Sequence, residues 1–487
     1  MDRLPRGARI VTLCLGAVVL AAAAAHAAGE GERIDAMVAS FAAKGQFSGA
    51  VLVARNGEVV LEKAYGLANR EWAIANTPDT RFRIASVTKQ FTAMLVMQLV
   101  EEGELATETT LAEALPWYRK DTGARVTIHH LLNHTSGIPS YTDRPDFRAA
   151  HERKAYSLKD LVTTLCSGDL QWEPGSKFRY NNSGYVILGA VIEQVAGKPY
   201  ETVLRERILD PLGMTGTGYD HTETILPRRA AGYQLDLRTV VNSPFLDMSV
   251  PHAAGAMYST VGDLYRWDRA LYGTKLLSEQ GKARMFTPGL GEYGYGWNIV
   301  KAQVGPDKAE RTLIRHAGGI RGFSSLIVRV PADGHVAVVL SNLAGSRTTA
   351  VAMGALDVLY GRTPPAPKES VADAVSATLE AKGIEAALAR FRELKAGDQT
   401  GYEFHERELN LLGYELIARG RIDEAIAIFA LNVETYPDSG NVYDSLAEAY
   451  ATKGDKDLAV KNYARSLERD PGNANAVERL AELMKEK

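Results

Sequence analysis

The chain has 487 residues, more than one ordinary domain holds, and its length suggests about three domains. With 56 basic and 59 acidic residues its formal net charge is -3, so no excess of positive charge favours binding to nucleic acid or to an anionic membrane. Its two cysteines, Cys14 and Cys166, are too few for a metal site built on cysteines.

The first 27 residues have the pattern of a secretory signal peptide. Three arginines within the first nine residues precede an apolar run from Ile10 to Ala25, and Ala25-His26-Ala27 provides the small residues of a cleavage site. The run is shorter than the ~20 residues that a membrane-spanning helix needs. We therefore expect a bacterial periplasmic or secreted protein whose mature chain keeps Cys166 alone and forms no internal disulfide.

Two hairpins are predicted, one early and one late in the chain. Asn56-Gly57 separates the strand-like runs 51–55 and 59–63, and residues 331–334 separate the runs 323–330 and 336–341. The patterns between the hairpins are mostly helical, as at 185–195 and 260–271. Strands at both ends with helices between them predict a sheet closed by distant segments, with a helical subdomain inserted in the middle.

A candidate nucleophile lies in the stretch from Arg83 to Phe91. The following run to Val100 is apolar on nearly every side, which predicts a helix buried all round. Ser86 would open this helix, and Lys89, three residues later, would lie on the same face. A lysine can serve as base for a serine only if its pKa is lowered. A capping serine with a solvated lysine is the other interpretation, so support has to come from elsewhere in the chain.

Other motif matches fail on their context. Residues 289–294 match the dinucleotide-binding glycine pattern, but a proline precedes them where a strand is required. Gly197-Lys198 has no upstream glycine at the spacing of a phosphate-binding loop. His129, His130 and His134 are potential metal ligands, but no glutamate follows at the spacing of zinc proteases. We therefore expect no metal and no cofactor.

Three polar motifs occur in an order typical of one enzyme family. They are Ser86-Val87-Thr88-Lys89, Tyr180-Asn181-Asn182 and His316-Ala317-Gly318-Gly319, accompanied by residues 130–138, 173–175, 210–214 and 254–259. Together they resemble the serine β-lactamase and penicillin-binding-protein superfamily, in the branch of class C β-lactamases, D-alanyl-D-alanine carboxypeptidases and esterases, over about residues 33–360. The resemblance implies an α/β (α+β) β-lactamase-like transpeptidase fold, an antiparallel sheet flanked by helices plus an inserted helical subdomain.

The resemblance also implies catalytic roles for these residues. Ser86 would attack an acyl carbonyl, and Lys89 and Tyr180 would share the proton transfer, with their ionisation coupled. Asn182 would hydrogen-bond Lys89 or the substrate amide. The alternative for Tyr180 and Asn182 is a polar turn before a buried helix.

The third motif departs from the family pattern. Lactamases carry Lys-Thr-Gly where this chain has His316-Ala317-Gly318, and a histidine is a weaker anchor for a substrate carboxylate than a lysine. Gly318 and Gly319 would let substrate lie along the strand, with the Gly319 N–H as oxyanion donor beside that of Ser86. Arg321 is a further candidate for substrate binding, or else a structural arginine. We therefore rank peptidase or esterase activity beside lactamase activity.

Past residue 361 the pattern changes. Residues 364–367 are rich in proline and mark a linker. Then Gly420, Ala425, Phe429 and Pro437 recur after 34 residues as Gly454, Ala459, Tyr463 and Pro471. This is the tetratricopeptide period, and an earlier partial copy around Phe391 brings the count to about the three units that such an array needs. A generic helical cap is the alternative to a peptide- or protein-binding role.

The sequence thus predicts four segments: a signal peptide (1–27), a serine hydrolase domain (28–361), a linker (362–375) and an all-α tetratricopeptide domain (376–487). We expect an exported hydrolase that forms an acyl-enzyme on Ser86 and acts on D-alanyl peptides, β-lactams or esters. The alternative is a non-hydrolysing sensor or scaffold that captures a penicillin or a peptidoglycan peptide and uses the repeats to bind a partner.

Overall fold

The computed structural model describes residues 29–236, 239–305, 309–364, 366–397 and 399–485. The predicted signal peptide, including Cys14, lies outside these ranges. The described residues form two compact units: those of Met1–Gln234 with Asn242–Pro365, and those of Leu235–Val241 with Ala366–Lys487. Within the described ranges, no helix has the length and apolar character needed to cross a membrane.

The described part of the chain contains fifteen strands and twenty α-helices. The strands are β1 (Gly49–Arg55), β2 (Glu58–Tyr65), β3 (Leu67–Asn69), β4 (Ile74–Ala75), β5 (Phe82–Arg83), β6 (Gly218–Tyr219), β7 (Tyr233–Asp236), β8 (Thr239–Asn242), β9 (Met257–Ser259), β10 (Asn298–Gln303), β11 (Glu310–Ile320), β12 (Phe323–Val330), β13 (His335–Ser341), β14 (Glu369–Ser370) and β15 (Tyr402–Glu403). The helices are α1 (29–43), α2 (Thr88–Glu101), α3 (Leu111–Ala114), α4 (Lys120–Gly123), α5 (Ile128–Leu132), α6 (Leu158–Leu165), α7 (Asn182–Ala196), α8 (Tyr200–Leu204), α9 (Asp210–Leu212), α10 (His252–Gly255), α11 (Val261–Ala270), α12 (Glu279–Met285), α13 (Thr348–Leu359), α14 (Val371–Lys382), α15 (Ile384–Ala396), α16 (Glu406–Ala418), α17 (Ile422–Thr435), α18 (Gly440–Lys453), α19 (Lys456–Arg469) and α20 (Ala474–Lys485).

A six-stranded sheet in the order β10-β11-β12-β13-β1-β2 forms the centre of the first unit. All its neighbours are antiparallel, and β1 pairs with β13 so that Gly49 lies opposite Ser341. Both predicted hairpins are confirmed, and Asn56 and Gly57 have the positive φ angles, 49° and 79°, that a tight hairpin turn requires. The prediction of a sheet closed by distant segments, with helices inserted between them, is also confirmed.

The side chains of the central strands alternate between two cores. On β1, Ala50, Leu52 and Ala54 belong to the core formed with α2 and the inserted helices. Val51 and Val53 belong to the core formed with α1 and α13. Successive residues of a strand point to opposite faces, so a sheet that is covered on both sides needs apolar residues at every position.

Helix α2 is surrounded by protein, as the sequence predicts. Every residue from Thr88 to Leu99 is buried, polar ones included, and Gly103 follows the helix with a φ of 75°. The helix begins at Thr88, however, and Ser86 lies in the 3-10 turn Ala85–Val87 just before it. Ser86 therefore belongs to the turn that leads into the helix, two residues before the helix begins, and not to the first turn of the helix as predicted.

Cys166 follows α6 as a free, buried thiol. Its backbone carbonyl accepts a hydrogen bond from the hydroxyl of Tyr118 at 3.0 Å. It lies beside Ser183, the second residue of α7, whose side chain hydrogen-bonds the thiol. The thiol is thus enclosed by the helical layer at the start of α7.

The second unit consists of three helix pairs, α14/α15, α16/α17 and α18/α19, followed by α20. The residues that recur after 34 positions, Ala425 with Ala459 and Phe429 with Tyr463, are all buried. One boundary needs correction: residues 371–375, predicted as the end of the linker, form the start of α14. Ser370 caps this helix by accepting a hydrogen bond from the Ala372 N–H at 3.1 Å, which favours a helix start there.

Candidate active site

Ser86 lies in a turn that is fixed from two sides. The N–H of Ile84 donates to Met257 of β9 at 2.9 Å, and the hydroxyl of Ser325 on β12 donates to the carbonyl of Ile84 at 2.7 Å. Ala85 adopts a left-handed backbone with a φ of 49°. A non-glycine residue in that region costs about 1–3 kcal/mol and persists only where its surroundings impose it. The strained turn is typical of a position at which one side chain must be presented.

The side-chain nitrogen of Lys89 is the point at which distant segments meet. Nζ lies 3.1 Å from Ser86 Oγ, 2.9 Å from Asn182 Oδ1 and 2.8 Å from the carbonyl oxygen of Ala254. Its partners come from the turn before α2, from the start of α7 and from α10. The structure therefore brings together the first two predicted motifs and adds a backbone carbonyl to them.

Burial disfavours the charged form of this lysine. Lys89 is completely buried, and because desolvation penalises the ammonium, its pKa lies well below the ordinary value of 10.5. A neutral amine has two N–H donors and one lone pair. In the neutral form, the oxygens of Asn182 and Ala254 can accept its two hydrogens, and the lone pair can accept the hydroxyl hydrogen of Ser86. Burial favours this form of Lys89, in which it can take the serine proton.

Asn182 is held in place by the first turn of α7. The side chain of Asn181 caps the helix by accepting from Gly184 N–H at 2.8 Å. The N–H of Asn182 donates to Ser140 Oγ at 3.1 Å, and its Nδ2 donates to Thr142 Oγ1 at 3.0 Å. These bonds fix the amide so that its oxygen faces Lys89.

Tyr180 lies over the same lysine. Its ring centroid is 4.9 Å from Lys89 Nζ, and a hydrogen bond links its hydroxyl to Ser86. Although 36% of the residue is exposed, desolvation of the hydroxyl raises the pKa of Tyr180, and the bond to Ser86 opposes this shift only in part. The phenol is therefore protonated at neutral pH.

His316 does not have the properties of a charged anchor for a substrate carboxylate. The residue is buried, its Nδ1 lies 2.7 Å from the Ala317 carbonyl, and its Nε2 lies 2.8 Å from the Tyr293 hydroxyl. Burial and then the nearby Lys89 lower the pKa of His316 to about 3. The imidazole is neutral, with Nδ1 donating to the carbonyl and Nε2 accepting from the phenol. Sequence could not show the two partners that occupy both nitrogens.

The two glycines at the end of β11 face different surroundings. A Cβ at Gly318 would overlap the carbonyl oxygen of Ile84 and the hydroxyl of Ser325, the two atoms that fix the serine turn. A Cβ at Gly319 would meet nothing within 4 Å. Gly318 therefore allows the strand to lie against the turn, while Gly319 borders open space beside Ser86.

Arg321 was a candidate for substrate charge recognition, but it already has an acidic partner. Its Nε and NH2 groups both donate to the carboxylate of Glu152, the NH2 at 2.8 Å. Glu152 is buried, so the pair is a two-pronged contact at the wall of the site. The arginine charge is balanced within the protein, which leaves Arg321 a weak attractor for a substrate anion.

A cleft of about 420 Å³ opens at Ser86. Its lining includes Ser86, Asn182, Gly319, Arg321 and Glu152. Tyr180, Lys89 and His316 are not among its lining residues; they reach the site through the contacts described above.

Sequence reasoning missed some of these contributions. Glu152 has no signal in the sequence, since it belongs to none of the motifs. Ala254 lies in a segment that the sequence singled out, yet its role depends on a backbone carbonyl, which no side-chain pattern shows. Tyr293 belongs to none of the motifs either, and only the structure shows that its hydroxyl contacts His316.

The histidines that were weighed as metal ligands serve packing and hydrogen bonding. His134 is buried, its Nδ1 accepts from the N–H of Asn181 at 3.1 Å, and its ring lies 4.4 Å from that of Tyr180. His129 contacts the hydroxyl of Tyr295 at 2.7 Å. Across the ranges described by the structure, no group of three or more His, Cys, Asp or Glu side chains is placed to hold a metal ion.

Family comparisons agree with this architecture. A family model described as Beta-lactamase matches residues 34–361, and one described as Tetratricopeptide repeat matches residues 440–473. The chain is 34% identical over 254 residues to "Putative penicillin-binding protein PbpX" of Bacillus subtilis. That match covers 52% of this chain and 62% of the relative, so less than two thirds of the relative's length has a counterpart here.

Solved structures resemble the first unit. The penicillin-binding protein from Bacillus halodurans is 28% identical, with a TM-score of 0.57, over 67% of this chain and 97% of that one. The D-amino acid amidase from Ochrobactrum anthropi SV3 is 27% identical, with a TM-score of 0.57, over 68% of this chain and 96% of that one. The same fold thus carries a penicillin-binding protein in one relative and an amidase in another.

Proposed function

The chain belongs to the Beta-lactamase family of serine hydrolase-like proteins, and we propose that it hydrolyses acyl substrates through an acyl-enzyme on Ser86. The observation that carries the proposal is the arrangement at Lys89 Nζ, where two oxygens accept hydrogens and Ser86 Oγ lies 3.1 Å away. A neutral lysine in this position supplies the base that a serine nucleophile requires.

The proposed reaction proceeds in two halves. Lys89 takes the proton of Ser86 as Oγ bonds to the acyl carbon, and the N–H groups of Ser86 and Gly319 stabilise the oxyanion. Tyr180, a protonated phenol, gives its proton to the leaving group and regains one from Lys89. Water then attacks the ester carbon and its proton passes to the Lys89–Tyr180 pair. As the bond between Ser86 Oγ and the acyl carbon breaks, that pair returns a proton to Oγ, and the acid product leaves free Ser86.

For the substrate we propose neutral esters and amides ahead of carboxylate-bearing β-lactams and D-alanyl peptides. Two observations support this order: the imidazole of His316 is neutral, and Arg321 is paired with Glu152. Arg148 also lines the cleft, but it is exposed, and water and salt weaken the attraction of an exposed charge. Export to the bacterial periplasm or medium and binding of a protein partner by the repeats are parts of the same proposal.

Intact-protein mass spectrometry tests the mechanism. The protein is exposed separately to a p-nitrophenyl ester, a benzylpenicillin and a D-alanyl-D-alanine peptide, and turnover is followed for each. We expect acylation and p-nitrophenol release with the ester, neither of which occurs in Ser86→Ala. Ser176→Ala, which changes an exposed serine whose hydroxyl donates to Glu173, serves as the control and should behave like the wild type.

Two outcomes would contradict the hydrolase proposal. Labelling that survives in Ser86→Ala would show that another group is the nucleophile. A stoichiometric adduct on Ser86 that never turns over with any of the three substrates would favour the non-hydrolysing binding protein instead.

A further inference from the structure

A second cavity, of about 430 Å³, lies within the first unit on the other side of one wall of the Ser86 cleft. The wall is the segment from Leu246 to His252. Leu246, Val250 and Pro251 line the cleft, whereas Asp247, Ser249 and His252 line the second cavity. The volume is in the range of sites for small organic molecules.

Carboxylates surround this cavity. Its lining includes Glu193, Glu201, Glu223 and Asp247, and none of the lining residues that the structure describes is a lysine or an arginine. Glu193 accepts from the Tyr200 N–H at 2.8 Å, and Glu201 contacts His221 at 2.6 Å. Burial and then the charge of Glu201 raise the pKa of Glu193, which favours the neutral acid at that one residue. Carboxyl groups therefore predominate among the charged groups of the described lining.

Aromatic rings complete the lining. Tyr156, Tyr200, Tyr219, His221 and His252 contribute to it. The His252 ring lies 5.4 Å from both Tyr200 and Tyr219, and the His221 ring lies 4.9 Å from Tyr219, measured between ring centroids. The faces of such rings attract cations. A cation held among them would be stabilised both by the rings and by the neighbouring carboxylates.

His252 adds no competing positive charge. The residue is 8% exposed, and burial, followed by the charge of His221, lowers the pKa of His252 to about 3. Among the described residues, its Nδ1 has no hydrogen-bond partner. At the rim, the ammonium of Lys154 lies 5.0 Å from the Tyr156 ring centroid, so one ring of the lining already takes an ammonium group.

We propose that this cavity binds a small organic ammonium cation. The combination of carboxylates and aromatic faces matches an alkylammonium group, and the volume leaves space for the carbon atoms attached to it. A bare metal ion is a poorer match, because the described side chains include no group of three His, Cys, Asp or Glu placed to coordinate one. The site is separate from Ser86, so the inference does not depend on the proposed hydrolase activity.

Calorimetric titration of the full chain tests the proposal, with choline as the probe. Its neutral isostere 3,3-dimethyl-1-butanol has the same shape without the charge. We expect saturable binding of choline, and we expect the affinity for the alcohol to be lower by a factor of about ten or more. A cation–π contact of about 1–2 kcal/mol corresponds to a ratio of that size. Equal affinity for the two compounds would overturn the proposal.

Variants locate the binding site. Glu201→Gln keeps a side chain that can contact His221 but removes a charge, and Tyr219→Leu removes a ring; both should weaken choline binding several-fold. Glu206→Gln is the matched control, because Glu206 is exposed, pairs with Lys198 and does not line the cavity. An equal loss in Glu206→Gln, or no loss in either test variant, would overturn the assignment.

The Ser86→Ala variant distinguishes the two cavities. It should bind choline with unchanged affinity, because Ser86 lines only the cleft. Loss of binding in this variant would place the cation in the catalytic cleft and overturn the proposed site. Circular dichroism of each variant shows whether a loss of binding reflects the cavity or unfolding, and Glu201→Gln, an exposed and isosteric change, keeps the test decisive if Tyr219→Leu does not fold.

Discussion

The first unit, which holds the hydrolase site, and the second unit, which holds the repeats, differ in how far apart in sequence their contacting residues lie. In the first, Lys89 meets the amide of Asn182 and the carbonyl of Ala254, which is 165 residues away in sequence. In the second, contacts recur at about the length of one repeat, as where Tyr414 donates to Ser445 at 3.0 Å, 31 residues away. A local period is therefore enough to specify the repeats, whereas the site depends on contacts between distant segments.

Two glycines show what this difference means for mutation. A Cβ at Gly318 would overlap the backbone oxygen of Ile84, which cannot move without displacing the serine turn. A Cβ at Gly413 would lie 2.5 Å from the ring of Phe429, a side chain that can shift within the helix pair. We expect a change at the serine turn of the first unit to disturb chemistry and a change within a helix pair of the second to disturb local stability.

The largest effect is expected at Lys89, where a substitution should lower activity without lowering stability. Lys89→Met should lower kcat/KM for an ester by about 10²–10⁴-fold, because the base is removed. Its melting temperature should be unchanged or higher, since the buried amine is costly to desolvate. Lys282→Met, at a buried lysine that pairs with Glu279 and does not line the cleft, should show the reverse: normal activity and lower stability. An active Lys89→Met enzyme would contradict the role of this base.

The next effect concerns the two glycines of β11. Gly318→Ala should lower kcat on the order of 10²-fold, because a shift of the serine turn misplaces the nucleophile. Gly319→Ala meets no neighbour and should act mainly on KM by narrowing the cleft. Steady-state kinetics on one ester measures both. If the two substitutions lowered kcat equally, the close contact between Gly318 and the serine turn would not be what positions Ser86.

A smaller effect is expected in the repeats. Gly413→Ala should destabilise the repeat unit by about 1–3 kcal/mol, as overpacking does in a filled core. Ester hydrolysis should remain at the wild-type level, since the proposed catalytic residues belong to the first unit. Thermal denaturation and an activity assay of the same sample make the comparison. A parallel loss of activity would show that the units do not respond independently.

The smallest expected effect is the absence of a histidine titration. Burial lowers the pKa of His316 to about 3, so the ring stays neutral between about pH 5 and 8. The ratio of kcat/KM for an anionic and a neutral ester should therefore be flat over that range. Protonation of Lys89 as the pH falls should slow both substrates together and cancel in the ratio. A ratio that changes near the ordinary histidine pKa would restore the carboxylate-anchor role.

Sequence predicted the fold more fully than the ionisation of the site. The two hairpins, the buried helix after Ser86 and the 34-residue period each follow from local patterns, and the structure confirms them. Lys89 and Asn182 were identified by type and order. The charge states of Tyr180 and His316 were not, because a pKa depends on burial and on partners such as Tyr293 that come from elsewhere in the chain.

The pair of Arg321 and Glu152 is a second case. The residues are 169 positions apart, and neither position carries a pattern that indicates the other. A resemblance to a family transfers residues that match a motif, and it cannot transfer contacts made by residues outside the motif. The boundary at Val371 was missed for a smaller reason, since one serine cap decides where the helix begins.

Alkylation of the enclosed thiol of Cys166 provides a measure of how often the first unit opens locally to solvent. Burial raises the pKa of Cys166 to about 12, and alkylating reagents attack only the thiolate. Modification in the native state must therefore wait for a fluctuation that admits solvent, as amide exchange does. Because Ser183 bonds the thiol and belongs to the first turn of α7, the rate of alkylation measures how often the protein around this end of α7 opens to solvent.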